Sequence, residues 1–188
     1  MLGVIGGVLG GYTAYSNGQD ILTGIFTGAL LGDAVGAVIG IGSTAVLSGA
    51  FSSLAGKAVT NLFSVVFYGG SFGTWEDYAI SFAFGGLSGG LGRIISNGGH
   101  IASTIAQGGK FVSEILLRPA ANQAVKMGTR GTTFNHQKLF YNAVTRSLTY
   151  FVTPQIVKEK FFGYDTKIDL GKSFNRATAR YLYTYFME

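Results

Sequence analysis

Apolar residues fall in long, nearly unbroken blocks through the first half of the chain and in amphipathic stripes through the second. Between Asp20 and Lys57 the sequence runs for 36 residues with one charge, Asp33. A helix of about 20 apolar residues crosses a bilayer, so residues 21–41 are long enough for one pass. Residues 43–68 predict a second helix, interrupted by Lys57 and several serines, and residues 78–95 a third and shorter one. Thr74 ahead of Glu76 and Asp77 has the pattern of a helix start, with acids in the first turn where the macrodipole favours them. Glycine pairs at 69–70, 89–90, 98–99 and 108–109 predict breaks.

Beyond residue 110 the pattern acquires a helical period. Pro119 suits a first helical turn, and Gly128 is positioned to end the short helix "AANQAVKM". From 135 to 152, Leu139, Phe140, Ala143, Val144, Leu148, Phe151 and Val152 mark one face, with Lys138, Asn142 and Arg146 on the other. Pro154 opens a further predicted helix, "PQIVKEKFF", which Gly163 stops. Asp169 or Ser173 caps a last helix through "FNRATARYLYTYFM". No sustained alternation of period two is visible. The predicted fold is all-α: glycine-zipper helical hairpins followed by a small basic helical region.

Glycine is the anomaly in this picture. Gly24, Gly28, Gly32, Gly36 and Gly40 recur at every fourth position of the longest apolar block. Each costs about 1 kcal/mol relative to alanine in an exposed helix, so the five together would melt an isolated one. Close packing must offset that cost if the segment is helical. Four residues advance about 400° around a helix, so the stripe follows the i±4 row and forms a slanted groove for a partner helix. Small residues at this spacing pack helices in membranes, and the residues between them are aliphatic, unlike a flexible linker. A buried pair in a soluble protein and an unstructured spacer are the competing readings. Asp33 matters to that choice. A carboxylate at mid-span faces a bundle interior or a water path, which makes it a lumen or switch candidate, whereas in a soluble fold it caps or faces solvent. The opening "MLGVIGGVLGG" lacks the Lys or Arg that a secretory signal carries before its apolar run. With Gly3, Gly7 and Gly11 it reads as one more glycine-rich helix.

Charge and glycine divide the chain at the same point. Residues 1–109 hold Lys57 and Arg93 against Asp20, Asp33, Glu76 and Asp77, a net of −2, whereas residues 110–188 hold twelve Lys/Arg against five acids, a net of +7. Of the 30 glycines, 26 precede residue 110. Two regions follow: an apolar, membrane-inserting helical module at 1–109 and a basic, aromatic-rich helical region at 110–188. Only 12% of residues are charged and 47% are hydrophobic, which excludes generic disorder. The absence of cysteine excludes disulfides and thiolate metal sites.

The run "GGVLGGYTAYSNGQDILTGIFTGALLGDAVGAVIGIG", followed by "GTWEDYAISFAFGGLSGGLG", resembles the glycine-rich tail found after the core of Rhs/YD-repeat and wall-associated polymorphic toxins of bacteria. The resemblance covers about residues 1–100. It implies a secreted, modular parent with a variable C-terminal effector and a cognate immunity protein. This chain departs from the family pattern in carrying no YD repeat and no core-ending motif.

Candidate chemistry in the basic region is sparse. In "FNHQK", His136 is a candidate general acid or base, with Lys138 or Arg146 to stabilise charge, and a basic surface attracts phosphate backbones. That set would serve a nuclease-type toxin. His100 lies in a predicted loop. Paired carboxylates and His-x-x-His spacing are absent, so neither metal nor cofactor is implied. Arg176, Arg180, Tyr181 and Tyr185 combine cations with aromatics, as suits a membrane interface or a nucleic-acid surface, although one aromatic helix face packed on its neighbours gives the same pattern. The leading expectation is a membrane-active region of a secreted bacterial toxin, pore-forming or translocation-assisting, acting at a target-cell membrane. It would self-associate through glycine-lined helix faces. A nuclease with a glycine-rich linker, binding nucleic acid, is the alternative, and a non-catalytic structural tail the third.

Overall fold

A computed structural model describes residues 1–150 and 154–187. The fold is all-α with one small hairpin sheet. Phe151 and Val152, assigned above to an apolar helix face, lie outside the described residues.

The first half forms two antiparallel helix pairs. Helices α1 (Leu2–Ser16) and α2 (Ile21–Ile41) make the first, and α3 (Thr44–Tyr68) and α4 (Trp75–Asn97) the second. Side-chain oxygens fix the starts. Asp20 accepts from the Thr23 N–H at 2.8 Å, and Ser43 from the Val46 N–H at 3.3 Å. Asp77 accepts from both the Thr74 N–H, at 3.2 Å, and the Thr74 hydroxyl, at 3.3 Å. These bonds satisfy donors that a helix N-terminus leaves open. Gly42 and Gly69 close α2 and α3 in the left-handed conformation, with φ of 62° and 64°.

Both pairs are held by glycine. A Cβ on Gly28 would collide with the Gly6 carbonyl, one on Gly24 with Ala14, and one on Gly32 with the Leu2 carbonyl. The α1–α2 seam therefore brings backbone against backbone, as the every-fourth spacing predicts. Its reach is shorter than the stripe. Gly36 meets only the Leu2 side chain at 3.6 Å, and Gly40 has open space beside it. The α3–α4 pair has a second seam: Gly49 faces Gly85 and Gly89, and Gly89 lies on the Ala45 carbonyl. The glycines at 89–90 and 108–109, expected as breaks, lie inside helices.

After Gly98, one helical rod runs from His100 to Arg130. It comprises α5 (His100–Val112), a π-helical turn (Ser113–Leu117) and α6 (Arg118–Arg130). The compositional boundary at 109/110 falls within α5. Gly128 does not end α6. It lies against Thr27 of α2, too close for any side chain, and Gly131, with φ of 64°, terminates the helix instead. Helix α7 (His136–Tyr150) starts at Asn135, whose Oδ1 accepts from the Lys138 N–H at 2.8 Å.

The expected helix at 154–162 is a strand. β1 (Ile156–Phe161) pairs antiparallel with β2 (Tyr164–Asp169), from Ile156 opposite Asp169 to Phe161 opposite Tyr164. Phe162 and Gly163, with φ of 50° and 81°, make the two-residue turn that a right-twisted hairpin favours. Ile156 and Val157 supply β-branched residues, but β1 is exposed along its whole length, so no buried face imposes a period of two. The hairpin sits on α3 through Phe51, whose ring stacks on Tyr164 at 5.5 Å, and through the Lys167 N–H donating to Ser52 Oγ at 2.8 Å. Asp169 Oδ1 then caps α8 (Leu170–Met187) by accepting from the Lys172 N–H at 3.0 Å. Helix α8 packs along α3, closing the molecule.

Candidate functional site: a charged interior

Val38, Val46, Ala50 and Phe82, flanked by Val35, Phe51 and Leu54, form one apolar cluster, and Leu31, Leu47, Ile80 and Ile115 are also buried. Charge lies beside the cluster. Glu76, at 0% exposure, accepts from Arg130 Nε at 3.2 Å and from the Thr129 hydroxyl at 3.1 Å. Asp77 receives Lys126 at 3.1 Å, Asn122 at 2.6 Å and Lys57 at 3.6 Å. Burial pushes both carboxyl groups up. For Asp77 the two lysines and Asn122 outweigh it, and for Glu76 hydrogen bonds at the helix start and Arg130 do. Both ionise below the usual carboxylate range. The residues that the sequence showed as first-turn acids of α4 thus pin α4 to α3 and α6.

Asn61 of α3 continues this network. Buried at 1% exposure, it donates to Tyr78 Oη at 2.9 Å and to the Phe72 carbonyl, and accepts from Arg180 Nη1 at 2.8 Å.

A second cluster surrounds the π-turn, and Pro119 explains it. Inside a helical rod a proline withholds one N–H. Across the π-turn the Arg118 N–H bonds to the Ser113 carbonyl, five residues back. The next such donor, to the Glu114 carbonyl, would be the N–H that Pro119 lacks. Arg146 of α7 fills the gap, with Nη1 donating to the Glu114 carbonyl at 3.2 Å. The Glu114 side chain meets Arg118 at 3.1 Å and Arg146 at 3.7 Å through the same oxygen. Burial raises the Glu114 carboxyl, but Arg118, Arg146 and Arg176 together draw it below its ordinary value. Arg146 is held well below the arginine range by burial and by Arg176 and Arg118. Arg176 falls to about 10 for the same first cause, with Arg118 next. Its Nε is shielded from solvent and has no hydrogen-bond partner among the described residues.

No family model, curated protein or solved structure matches this chain.

The structure does not gather the candidate catalytic residues. His136 is exposed at the start of α7, its ring edge-on to Phe134 at 4.9 Å. Lys138 is exposed, 5.3 Å above the Tyr183 ring. Arg146 is ten residues along the same helix, about 15 Å away, and turned inward. Helix α7 departs in part from the amphipathic reading: Leu139 and Ala143 are half-buried and Lys138 is exposed as expected, but Arg146 is turned inward while Phe140, Val144 and Leu148 are exposed. At the end of the chain Arg176 and Arg180 point into the molecule. Tyr181 stacks on Tyr68 at 4.8 Å, and Tyr185 is exposed. Asp33 faces solvent beside Gly3, at the first turn of α1, the placement expected of a soluble fold and not of a carboxylate that lines a lumen. His100 is likewise exposed, at the start of α5 and not in a loop. Among the described residues no group of three His, Asp or Glu side chains is placed to hold a metal ion.

Sequence reasoning missed the two ion-pair clusters. A signal for the first existed: in a region with six charged side chains, Lys57, Glu76 and Asp77 interrupt or adjoin apolar blocks and have few surface roles to fill.

Proposed function

We propose that this chain acts on lipid bilayers, as the pore-forming or translocation-assisting region of a bacterial polymorphic toxin. One observation carries the reading: the α1–α2 pair is built inside-out. Glycine fills its seam, while Val4, Val8, Leu22, Phe26 and Leu30 project outward, each more than half exposed. A helix pair in the core of a soluble protein turns its large apolar residues inward. Helices packed in lipid place small residues at the contact and leave large ones to the acyl chains. Helices α2 and α3 are also long and apolar enough to cross a membrane, and only 22% and 17% of their apolar windows are buried. At 1.5 Å per residue, α2 spans about 30 Å, the thickness of the hydrocarbon layer.

In this reading the apolar module inserts and the basic region remains at the anionic surface, where exposed Tyr185 and Phe186 suit the headgroup level. The unused end of the stripe, Gly36 and Gly40, offers a face for self-association. The likeness of residues 1–100 to toxin tails supports a secreted parent and an immunity protein that neutralises it.

Dye release from anionic liposomes tests the proposal. The wild-type chain is expected to cause leakage, and Gly28→Leu or Gly32→Leu, which wedge the seam open, to reduce it sharply. A wild-type chain that releases no dye, or substitutions without effect on release, would sink it. Nucleic-acid degradation in expressing cells that disappears with His136→Ala would select the nuclease instead.

A further inference from the structure

We propose that Arg118, Arg146 and Arg176, gathered around the π-turn, form a receptor for a phosphate group. The charge balance is the first argument. Two of these guanidinium groups converge on one oxygen of Glu114, and that carboxylate is also close enough to Arg176 to act on it electrostatically. Glu114, with a smaller contribution from Asp169 at Arg176, faces these three cations and Arg180, so positive charge is in surplus in a partly dehydrated space. The second argument is the unused donor: Arg176 Nε lies out of reach of solvent with no acceptor among the described residues. Buried donors in folded proteins are almost always satisfied, and one left open beside surplus positive charge points to an anion.

The third argument is access. Arg146 keeps 18% of its side-chain surface and Arg176 is only partly covered, so an anion meets the exposed edges of these side chains first and reaches the Arg176 Nε when the packing around it opens locally. The fixed fork of guanidinium donors matches the oxygens of a phosphate better than lysine does. A single carboxylate from a partner would leave surplus positive charge, whereas a phosphate monoester carries up to two negative charges. The group can come from free phosphate or from an anionic phospholipid headgroup. Burial lowers both guanidinium groups, with Arg176 and Arg118 adding to it at Arg146 and Arg118 and Arg180 at Arg176, and a bound anion relieves both. Binding of free phosphate needs no membrane, so its failure is distinct from failure of the bilayer reading.

The test uses the full chain and inorganic phosphate. Thermal unfolding is compared in phosphate and in chloride of equal ionic strength. Phosphate tenfold above its Kd is expected to raise Tm by about 3–6 °C. Arg176→Gln and Arg176→Lys should weaken phosphate binding at least tenfold, while Arg93→Gln, on the exposed side of α4, should leave it unchanged. Titration calorimetry on the wild type supplies a readout that does not depend on the variants folding. Vesicles of phosphatidylcholine with and without phosphatidic acid identify the source. Arg176-dependent sedimentation with the acidic vesicles assigns a lipid headgroup, and Arg176-dependent binding of phosphate alone assigns a free anion. Either outcome upholds the site. Equal stabilisation by phosphate and chloride, or unchanged phosphate affinity in both Arg176 variants, overturns it. Arg176-dependent binding confined to an RNA oligonucleotide also overturns it, in favour of a polynucleotide surface.

Discussion

Glu76, Asp77 and Glu114 are carboxylates placed where water does not reach freely, and each is kept ionised by cations or helix-start hydrogen bonds. Removing one member of such a set exposes the cost of the others. Glu76→Ala leaves the Thr129 hydroxyl buried without this acceptor and Arg130 without its ion-pair partner. The expected loss is about 2–4 kcal/mol, at the lower side of the range for broken buried pairs because Arg130 is partly solvated. Urea unfolding measures it. The pH response follows from the direction of the shifts. Each carboxyl ionises more readily in the folded chain than in the unfolded one, from reference values of 3.8 for Asp77 and 4.5 for Glu76 and Glu114. Their contribution is therefore complete above those values and is lost as pH falls through the folded ones. Stability should hold from neutral pH to about 5 and decline progressively below about 4. The Asp77→Asn variant should show a shallower decline; an equally steep one would mean that other groups govern acid unfolding.

At the scale of elements, helices with glycine seams separate into packed and unpacked positions. Gly28→Ala forces a Cβ onto the Gly6 carbonyl and is expected to destabilise by about 1–3 kcal/mol. Gly40→Ala meets nothing and should stabilise by about 0.5–1 kcal/mol through helix propensity. Opposite signs at two members of one sequence stripe would show that α1 decides which glycines matter. The spacing showed that the stripe was a groove, but its partner's length was invisible because α1 is capped by nothing distinctive. Pro119 makes a comparable test. Pro119→Ala restores an N–H near the Glu114 carbonyl, so the Arg146 guanidinium loses part of its role. Arg146→Met should then be less damaging in that background, by about 0.5 kcal/mol or more in a double-mutant cycle. Simple additivity would detach the proline from the arginine. The hairpin at 156–169 was hidden for a different reason. A strand exposed on both faces carries no alternation, and Pro154 and Gly163 bracket it as plausibly as they bracket a helix.

Across the whole molecule, the all-α class and the span-length helices were legible in the sequence, because block length and glycine spacing are local properties. The orientation of α7 and the two charged clusters were not. Arg146 and Phe140 obey the same helical period whichever side faces inward, and the carbonyl and carboxylate of Glu114 at the π-turn, 32 residues away along the chain, draw the arginine inside. The usual rule that large apolar residues mark the interior fails for this chain. Leu148, Phe140 and Phe26 lie outward while Thr129, Asn61 and Glu76 lie inward, and exposed apolar surface of this kind promotes association in water. Detergent or lipid should accordingly suppress aggregation of the purified chain. Monodisperse behaviour at high concentration in buffer alone would count against that prediction.

The rod from His100 to Arg130 passes through the point where composition changes from glycine-rich to basic. A helix without a loop is a stiff lever, so the two halves are not joined by a hinge at that point. Movement of its glycine-rich end would be carried along the rod to Arg118 at the π-turn. Under the proposed anion site, an anion held by the arginines around Glu114 would resist that movement from the other end.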